Sequence, residues 1–351
     1  MGCMVGPKAD ALEERFPYVD VFMQPQQFSP LIELLGDRMG IDPEGCVGPL
    51  TARADVATYI PIIHGCDKFC SFCIIPYRRG REVSRKIDDI VREAAILAGR
   101  GVKEVTLLGQ NVDSYGHDMD GDQDLGDLLA AVADVGGIER IRFLTSHPND
   151  MSDHIIDAVA GIDKVCENIN LPFQAGDDDV LREMRRGYTG EEYLALIEKV
   201  RSRIPNVSMT TDLIVGFCGE TDRQFNSTLD MLREVRFDKV HSAAYSQREG
   251  TIAARLQQDD VPRKIKKERL AAVDELQASI QKEINAELHG ATTEVLVEGR
   301  KRGFPYGRTR NDKLVYMAGS GSNLIGETVK VHIDATGPWS LKGKVVASPL
   351  M

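Results

Sequence analysis

Six times between residues 55 and 285 the chain repeats one alternation, a short apolar and β-branched run followed by a polar, glycine-containing segment. The runs are Thr58–Ile63, Glu104–Gly109, Arg140–Thr145, Glu167–Leu171, Ser208–Val215 and Lys239–Tyr245. Most are followed by a helical pattern. Ile87, Ile90, Val91, Ala94, Ala95 and Ala98 share one face of a helix expected to follow Ser84 and to stop at Gly99. Thr189 with Glu192, and Thr221 with Gln224, have the spacing of capping boxes and open two further helices. Regular βα alternation implies an α/β core with a parallel sheet and right-handed crossovers, either open or curved into a barrel.

The polar segments after the runs are His64–Arg81, Gln110–Gly116, Ser146–Asp150, Pro172–Asp179, Phe217–Thr221 and Ser246–Thr251. In barrel-type βα folds the loops at the C-terminal strand ends build the active face, so these six segments are expected to converge on one site. The first carries the chemistry. Cys66, Cys70 and Cys73 stand in Cys-x3-Cys-x2-Cys spacing directly after the first strand, whereas the other four of the seven cysteines, Cys3, Cys46, Cys166 and Cys218, are scattered. Clustered cysteines in a chain of this kind read as metal ligands rather than disulfides. Three thiolates from one loop can hold a [4Fe–4S] cube and leave its fourth iron open. The rival is a structural zinc ion with His64 as fourth ligand, although such sites usually come as two separated pairs. Cys166 and Cys218 read most simply as buried small hydrophobes.

The formal charge is −11, unevenly spread. Residues 290–351 carry nine Lys/Arg against five Asp/Glu, a local +4 that leaves −15 on the remainder. This basic tail reads as short strands at Thr293–Glu298, Tyr306–Arg310, Leu314–Met317, Thr328–Ile333 and Leu341–Ala347, a five-stranded barrel of OB-like type. Arg300, Lys301, Arg302, Arg308, Arg310 and Lys313 gather in its first half, with Phe304 and Tyr306 among them, which suggests phosphate contacts and base stacking. No apolar run approaches the ~18 residues of a membrane helix and no basic-then-apolar leader opens the sequence, so a cytoplasmic protein is expected. It is also expected to be a monomer.

The cysteine triple resembles the radical S-adenosylmethionine superfamily, and the string GCDKFCSFCIIPYRRGREVSR resembles its methylthiotransferase branch. The likeness runs on through LLGQNVDSYG, RFLTSHP, LPFQAG, MRRGYT, TTDLIVGF and YSQREGT into the tail at TEVLVEGR, GRTRNDKLV and PWSLKGKVV. It implies a partial (β/α)6 TIM-type barrel over residues 55–288 and a TRAM RNA-binding domain over 290–351. It further implies S-adenosylmethionine as cofactor, tRNA as partner, and an electron donor such as flavodoxin or ferredoxin. TSHP at Thr145–Pro148 is closest to members that methylthiolate an isopentenylated adenosine beside the anticodon. A threonylcarbamoylated adenosine or a ribosomal protein are the rival substrates, and a non-catalytic RNA-binding remnant is the rival of another class.

By the same resemblance Cys66, Cys70 and Cys73 ligate the core cluster. Gly109, Gln110 and Asn111 meet the methionyl amino group, Ser146, Gln174 and Arg186 reach cofactor or substrate, and Ile214 and Gly216 lie along the adenine. No residue is expected as general acid or base, and Glu220 reads as a helix-start residue. Tyr77, Arg78, Arg79, Arg81 and Arg85 form a basic run expected to touch RNA. In the family a second [4Fe–4S] cluster sits on three N-terminal cysteines; Cys3 resembles the third, and the other two have no counterpart here. Residues 1–35 are therefore expected to be an α/β remnant of that domain, with a helix at Ala9–Arg15 and a strand at Tyr18–Met23, and residues 36–54 a linker.

Overall fold

The computed structural model describes Val5, residues 10–23, 30, 31 and 34, 55–318 and 324–347. Its centre is formed by β1 (Ala57–Pro61), β2 (Glu104–Leu108), β3 (Arg140–Leu144), β4 (Asn168–Asn170), β5 (Ser208–Val215) and β6 (Lys239–Ala244). All pairings among them are parallel: Ala57 opposes Glu104, Glu104 opposes Arg140, Asn168 opposes Ser208, and Thr210 opposes Lys239. A parallel bridge from Ile141 to Val165 links the two halves, and no ladder joins β1 to β6 among the described residues. The six strands thus curve into a partial barrel with one open side.

Helices Ile87–Gly99, Leu125–Ala133, Asp153–Gly161, Gly190–Arg203 and Asp222–Val235 cover the outside. Val105, Leu107, Ile141 and Phe143 are buried in the apolar core, as alternation along a strand requires. The opposite positions are polar. Thr106, Arg142, Asn168, Asn170, Thr210, Asp212, Lys239 and His241 line a cavity of about 750 Å³ inside the barrel. In the first helix Ile90 and Ala94 are buried while Ala95 is exposed, so the apolar face is narrower than the sequence pattern suggests. Both expected capping boxes form: Thr189 N–H donates to Glu192 Oε2 at 2.8 Å, and Thr221 N–H to Gln224 Oε1 at 2.9 Å.

Two sequence expectations need correction. The first strand stops at Pro61, not Ile63; Ile62 N–H still reaches Leu108 O at 2.9 Å, and then Ile63–His64 turns to pair antiparallel with Val83–Ser84. Tyr18–Met23 is turn and irregular chain rather than strand, because no described segment offers it a ladder partner. The helix expected there runs Asp10–Arg15. Cys3, Cys46 and the 36–54 linker lie outside the described residues.

The tail folds as a closed barrel of β7 (Thr292–Lys301), β8 (Phe304–Arg308), β9 (Leu314–Ala318), β10 (Thr328–Thr336) and β11 (Leu341–Ala347). Its strand order is β8-β9-β11-β10-β7, with β9 and β11 parallel and the other pairs antiparallel. Val295, Val297, Val315, Met317, Val329, Val331, Ile333 and Leu341 fill it. The long helix Arg263–Ala286 leads into this barrel, and Asn285 donates to Gly337 O at 2.8 Å.

The tail is fastened beneath the core, at the N-terminal ends of the core strands. Arg140 donates to Arg308 O at 2.7 Å, and Arg142 to Arg310 O at 2.6 Å and Thr309 O at 2.8 Å. Arg310 grips Glu167 at 2.7 Å, Lys313 pairs with Asp238, and Asn311 donates to Asn206 O at 2.8 Å. Two of the tail's cations, Arg310 and Lys313, are therefore engaged by carboxylates of the body.

Candidate functional site

The three cysteines occupy a loop closed at its base by the pairing of Ile63–His64 with Val83–Ser84. Gly65 makes the entry possible: its φ is +76°, and a Cβ there would lie 1.9 Å from Arg81 O. Cys66 N–H donates to Gly80 O at 3.2 Å, and Cys73 N–H to Cys70 O at 3.0 Å. Burial, and then the neighbouring Glu82, Cys70 and Cys73, push the Cys66 thiol up to about 12. Burial raises Cys73 as well. All three are free of disulfides.

A tetrahedral zinc with Zn–S bonds of ~2.3 Å would hold its sulfurs about 4 Å apart, and a [4Fe–4S] cube takes a thiolate at each of three corners, further apart. Among the described residues, Asp124, Asp127 and His154 are the three potential ligand groups whose atoms all lie within 4.8 Å of one another, and the cysteine triple is not gathered that tightly.

The loop is tied to its surroundings by contacts the sequence did not reveal. Lys68, between the first two cysteines, pairs with Asp150 at 2.6 Å, and Asp150 also accepts from Asn111 Nδ2 at 2.6 Å. Ser71 N–H donates to Met184 O at 3.0 Å and its hydroxyl to Glu183 O at 2.6 Å, fastening the cysteine loop to the turn that carries Arg186. Phe69 adopts φ +49° and packs edge-on against Tyr77, with ring centres 5.9 Å apart.

The expected cofactor residues fall into two groups. Gln110 and Asn111 follow β2, and Gln110 Oε1 and Asn111 Oδ1 are buried acceptors without a partner in the chain. An ammonium group would satisfy such oxygens, so they fit the amino end of S-adenosylmethionine. Gly109 packs tightly, its α-carbon carrying no room for a Cβ against Ile63 at 2.4 Å. Gln174, at φ +69°, is joined to β5 through its backbone: its N–H donates to Asp212 O at 3.0 Å and Ile214 N–H donates to its carbonyl at 2.9 Å. Gly216 turns the chain out of β5 at φ +70°, and its N–H donates to the buried carboxylate of Glu220. Glu220 also pairs with Arg269 at 2.7 Å, which makes it a loop strut, as a helix-start residue would be.

Ser146 does something other than expected. Its hydroxyl donates to Asp113 Oδ1 at 2.8 Å, and His147 N–H donates to Asp113 Oδ2 at 3.1 Å. Asp113 is fully enclosed, and burial pushes its carboxyl up to about 7 against the pull of those two bonds. His147 is pushed down to about 2 by burial, then by Arg186 and Lys68, so it stays neutral. Its Nδ1 accepts from Asn149 N–H at 3.3 Å, which leaves the proton on Nε2, a buried donor with no partner. Cys166 is buried, and Cys218 is half-buried, packed against the apolar core beside the Tyr245 hydroxyl.

The expected RNA contacts also divide. Arg308 pairs with Glu298 at 2.7 Å and Asp312 at 3.0 Å, and with Arg310 and Lys313 it belongs to the seam under the core. Their guanidinium and ammonium groups meet carboxylates before they can meet phosphates. Arg300, Lys301 and Arg302 stand at the exposed β7–β8 hairpin, Arg300 donating to Gly303 O at 2.8 Å. In the basic run after the cysteines, Arg85 donates to Pro61 O at 2.7 Å and pairs with Glu93 at 2.7 Å, while Arg81 pairs with Asp67 at 2.9 Å.

The Radical SAM superfamily profile matches residues 60–232, and the TRAM domain profile matches residues 286–346. A tRNA-2-methylthio-N(6)-dimethylallyladenosine synthase of Dehalococcoides mccartyi (strain CBDB1) is 46% identical over 345 residues, covering 98% of this chain and 80% of that protein. The protein of the same name from Roseiflexus sp. (strain RS-1) is 47% identical over 354 residues, covering 99% and 74%. Among solved structures, the radical SAM enzyme coproporphyrinogen III oxidase of Escherichia coli superposes with a TM-score of 0.50 at 16% identity, over 81% of this chain and 68% of that one; the likeness is one of fold.

Proposed function

The chain belongs to the tRNA-2-methylthio-N(6)-dimethylallyladenosine synthases, radical S-adenosylmethionine enzymes with a TRAM tail, and we propose that it inserts a methylthio group at C2 of N6-isopentenyladenosine beside the tRNA anticodon. The observation that carries this reading is the loop of three free cysteines at the C-terminal mouth of the partial barrel, closed at its base by the pairing of Ile63–His64 with Val83–Ser84. When bound, the cluster supplies the electron that cleaves S-adenosylmethionine, and that cofactor brings the radical chemistry.

The chain's own residues bind and orient. Cys66, Cys70 and Cys73 would hold the cluster. Gln110 and Asn111 offer carbonyl oxygens to the methionyl ammonium, and Asp150 fixes the Asn111 amide that its carboxylate accepts from. Gln174 and Ile214, joined by a backbone bond, and Gly216 two residues on present main chain to the adenosyl part. The neutral His147 and the enclosed Asp113 shape the wall between them without exchanging protons with substrate. Of the six cations gathered in the first half of the tail, Arg300, Lys301 and Arg302 are the ones best placed for phosphate, since Arg308, Arg310 and Lys313 serve the seam. A flavodoxin- or ferredoxin-type donor, a monomeric state and a cytoplasmic setting complete the proposal, supported by the tRNA named for the relatives.

The test uses the anaerobically reconstituted chain with a strong reductant, S-adenosylmethionine, and tRNA carrying deuterium at C2 of the isopentenylated adenosine. Deuterium should appear in 5′-deoxyadenosine. No transfer from this tRNA, with transfer from threonylcarbamoylated tRNA instead, would move the assignment to the rival nucleoside.

A further inference from the structure

Arg186 hydrogen-bonds a cysteine of the candidate cluster loop. Its Nη1 lies 3.3 Å from Cys70 Sγ. The rest of the guanidinium is committed elsewhere: Nε donates to the Tyr188 hydroxyl at 3.0 Å, and Nη2 to Pro172 O at 2.9 Å. The turn bearing it is rigidly built, with Arg185 at φ +58° and Gly187 at φ +74°. Arg186 N–H donates to Leu181 O at 3.0 Å and its carbonyl accepts from Asn149 Nδ2 at 3.2 Å. Ser71, the residue after Cys70, bonds twice to this same turn. The separation of guanidinium and sulfur is therefore set by main chain on both sides.

The missing partner is the informative part. Arg186 is only 5% exposed, and its hydrogen-bond partners are the Tyr188 hydroxyl, Pro172 O and Cys70 Sγ, with no carboxylate among them. The other buried guanidiniums each have a carboxylate within 4 Å, Arg142 with Glu104 at 3.0 Å, Arg269 with Glu220 at 2.7 Å and Arg140 with Glu294 at 3.9 Å. A buried charge without a counter-ion is strongly disfavoured. The neighbour able to become an anion is the Cys70 sulfur, and a cube on three thiolates carries net negative charge that grows by one on reduction.

We propose that Arg186 is a positioning residue for the iron–sulfur cluster, an N–H···S donor to Cys70 that raises the cluster's reduction potential by stabilising its more negative state. The proposal rests on the reading of Cys70 as a cluster ligand. It gives Arg186 a role independent of S-adenosylmethionine, and so distinct from a cofactor contact.

The experiment is an EPR-monitored redox titration of the reconstituted full chain without S-adenosylmethionine, comparing wild type, Arg186→Lys and Arg186→Gln. At a fixed poise the ratio of reduced to oxidised cluster should fall at least tenfold in Arg186→Gln, about 59 mV for one electron. Arg186→Lys should fall between the two. Equal midpoints at full iron content, or a difference present only with S-adenosylmethionine bound, would overturn the proposal. If Arg186→Gln does not hold iron, the wild type decides. With 15N placed only in arginine, the reduced cluster should show a 15N hyperfine coupling in pulsed EPR, and its absence overturns the proposal. Wild-type iron content reports separately on the cysteine site, so loss of the cluster reading and loss of the Arg186 role are different results.

Discussion

The two ends of the core barrel solve the burial of charge in opposite ways. At the base, Arg140 and Arg142 point into carbonyls of the 308–310 turn, and carboxylates stand beside them, Glu104 at 3.0 Å from Arg142 and Glu294 at 3.9 Å from Arg140. At the mouth, Gln110 Oε1, Asn111 Oδ1 and His147 Nε2 are buried without partners, and Arg186 faces sulfur. Some base atoms also lack a hydrogen bond: Glu104 Oε2 and Arg142 Nε sit next to opposite charge, while Gln281 Oε1 and Asn285 Oδ1 are uncharged amide oxygens by the tail. The base pairs its buried charges within the chain, and the mouth leaves polar atoms free to meet a ligand.

Substitutions should separate the ends. The largest effect is expected at the mouth: Cys66→Ala, Cys70→Ala or Cys73→Ala should each abolish iron binding, measured as iron and sulfide after anaerobic reconstitution. Arg142→Met should leave iron content intact but destabilise the fold by about 3–5 kcal/mol, because Glu104 is left as an uncompensated buried charge. Chemical denaturation checks this, and loss of iron in a folded Arg142→Met protein would contradict the division of labour.

A smaller effect follows from Asp113. Its folded carboxyl titrates near 7, above its unfolded value of 3.8, so the stability it contributes is present at pH 4 and is lost as pH rises through 7. Asp113→Asn should flatten that decline, on the order of 1–3 kcal/mol between pH 4 and 8. Identical pH–stability curves for the two proteins would mean that the carboxyl is ionised throughout. The smallest effect concerns RNA. Neutralising Arg300 or Arg302 should reduce the slope of log affinity for tRNA against log salt by roughly one unit per lost phosphate contact. Arg310→Ala should leave the slope unchanged and lower the melting temperature instead.

Local signals were readable in the sequence and distant partners were not. The six core strands fall where the apolar runs place them, the two capping boxes form, and the tail closes as an OB-like barrel, because each depends on residues close in the chain. The cysteine loop was legible for the same reason. What escaped were ion pairs across long separations. Lys68 finds Asp150 82 residues on, Lys313 finds Asp238 75 residues back, and Arg310 finds Glu167 143 residues back. A basic cluster read in isolation looks like a nucleic-acid contact; only the packing of tail on core shows which of its members are already engaged. Asp113 gave no signal either, since an aspartate in a polar loop offers no hint that it will be enclosed. Tyr18–Met23 has strand composition, yet composition cannot supply a neighbouring strand.

The hairpin closure beneath the cysteines has a consequence for assembly. Ile63–His64 against Val83–Ser84, the left-handed Phe69 and the two Ser71 bonds all hold the loop through its backbone. Each such tie reduces the ordering entropy that a group docking onto the three sulfurs has to overcome, so the residues that shape the loop contribute to binding without touching what is bound.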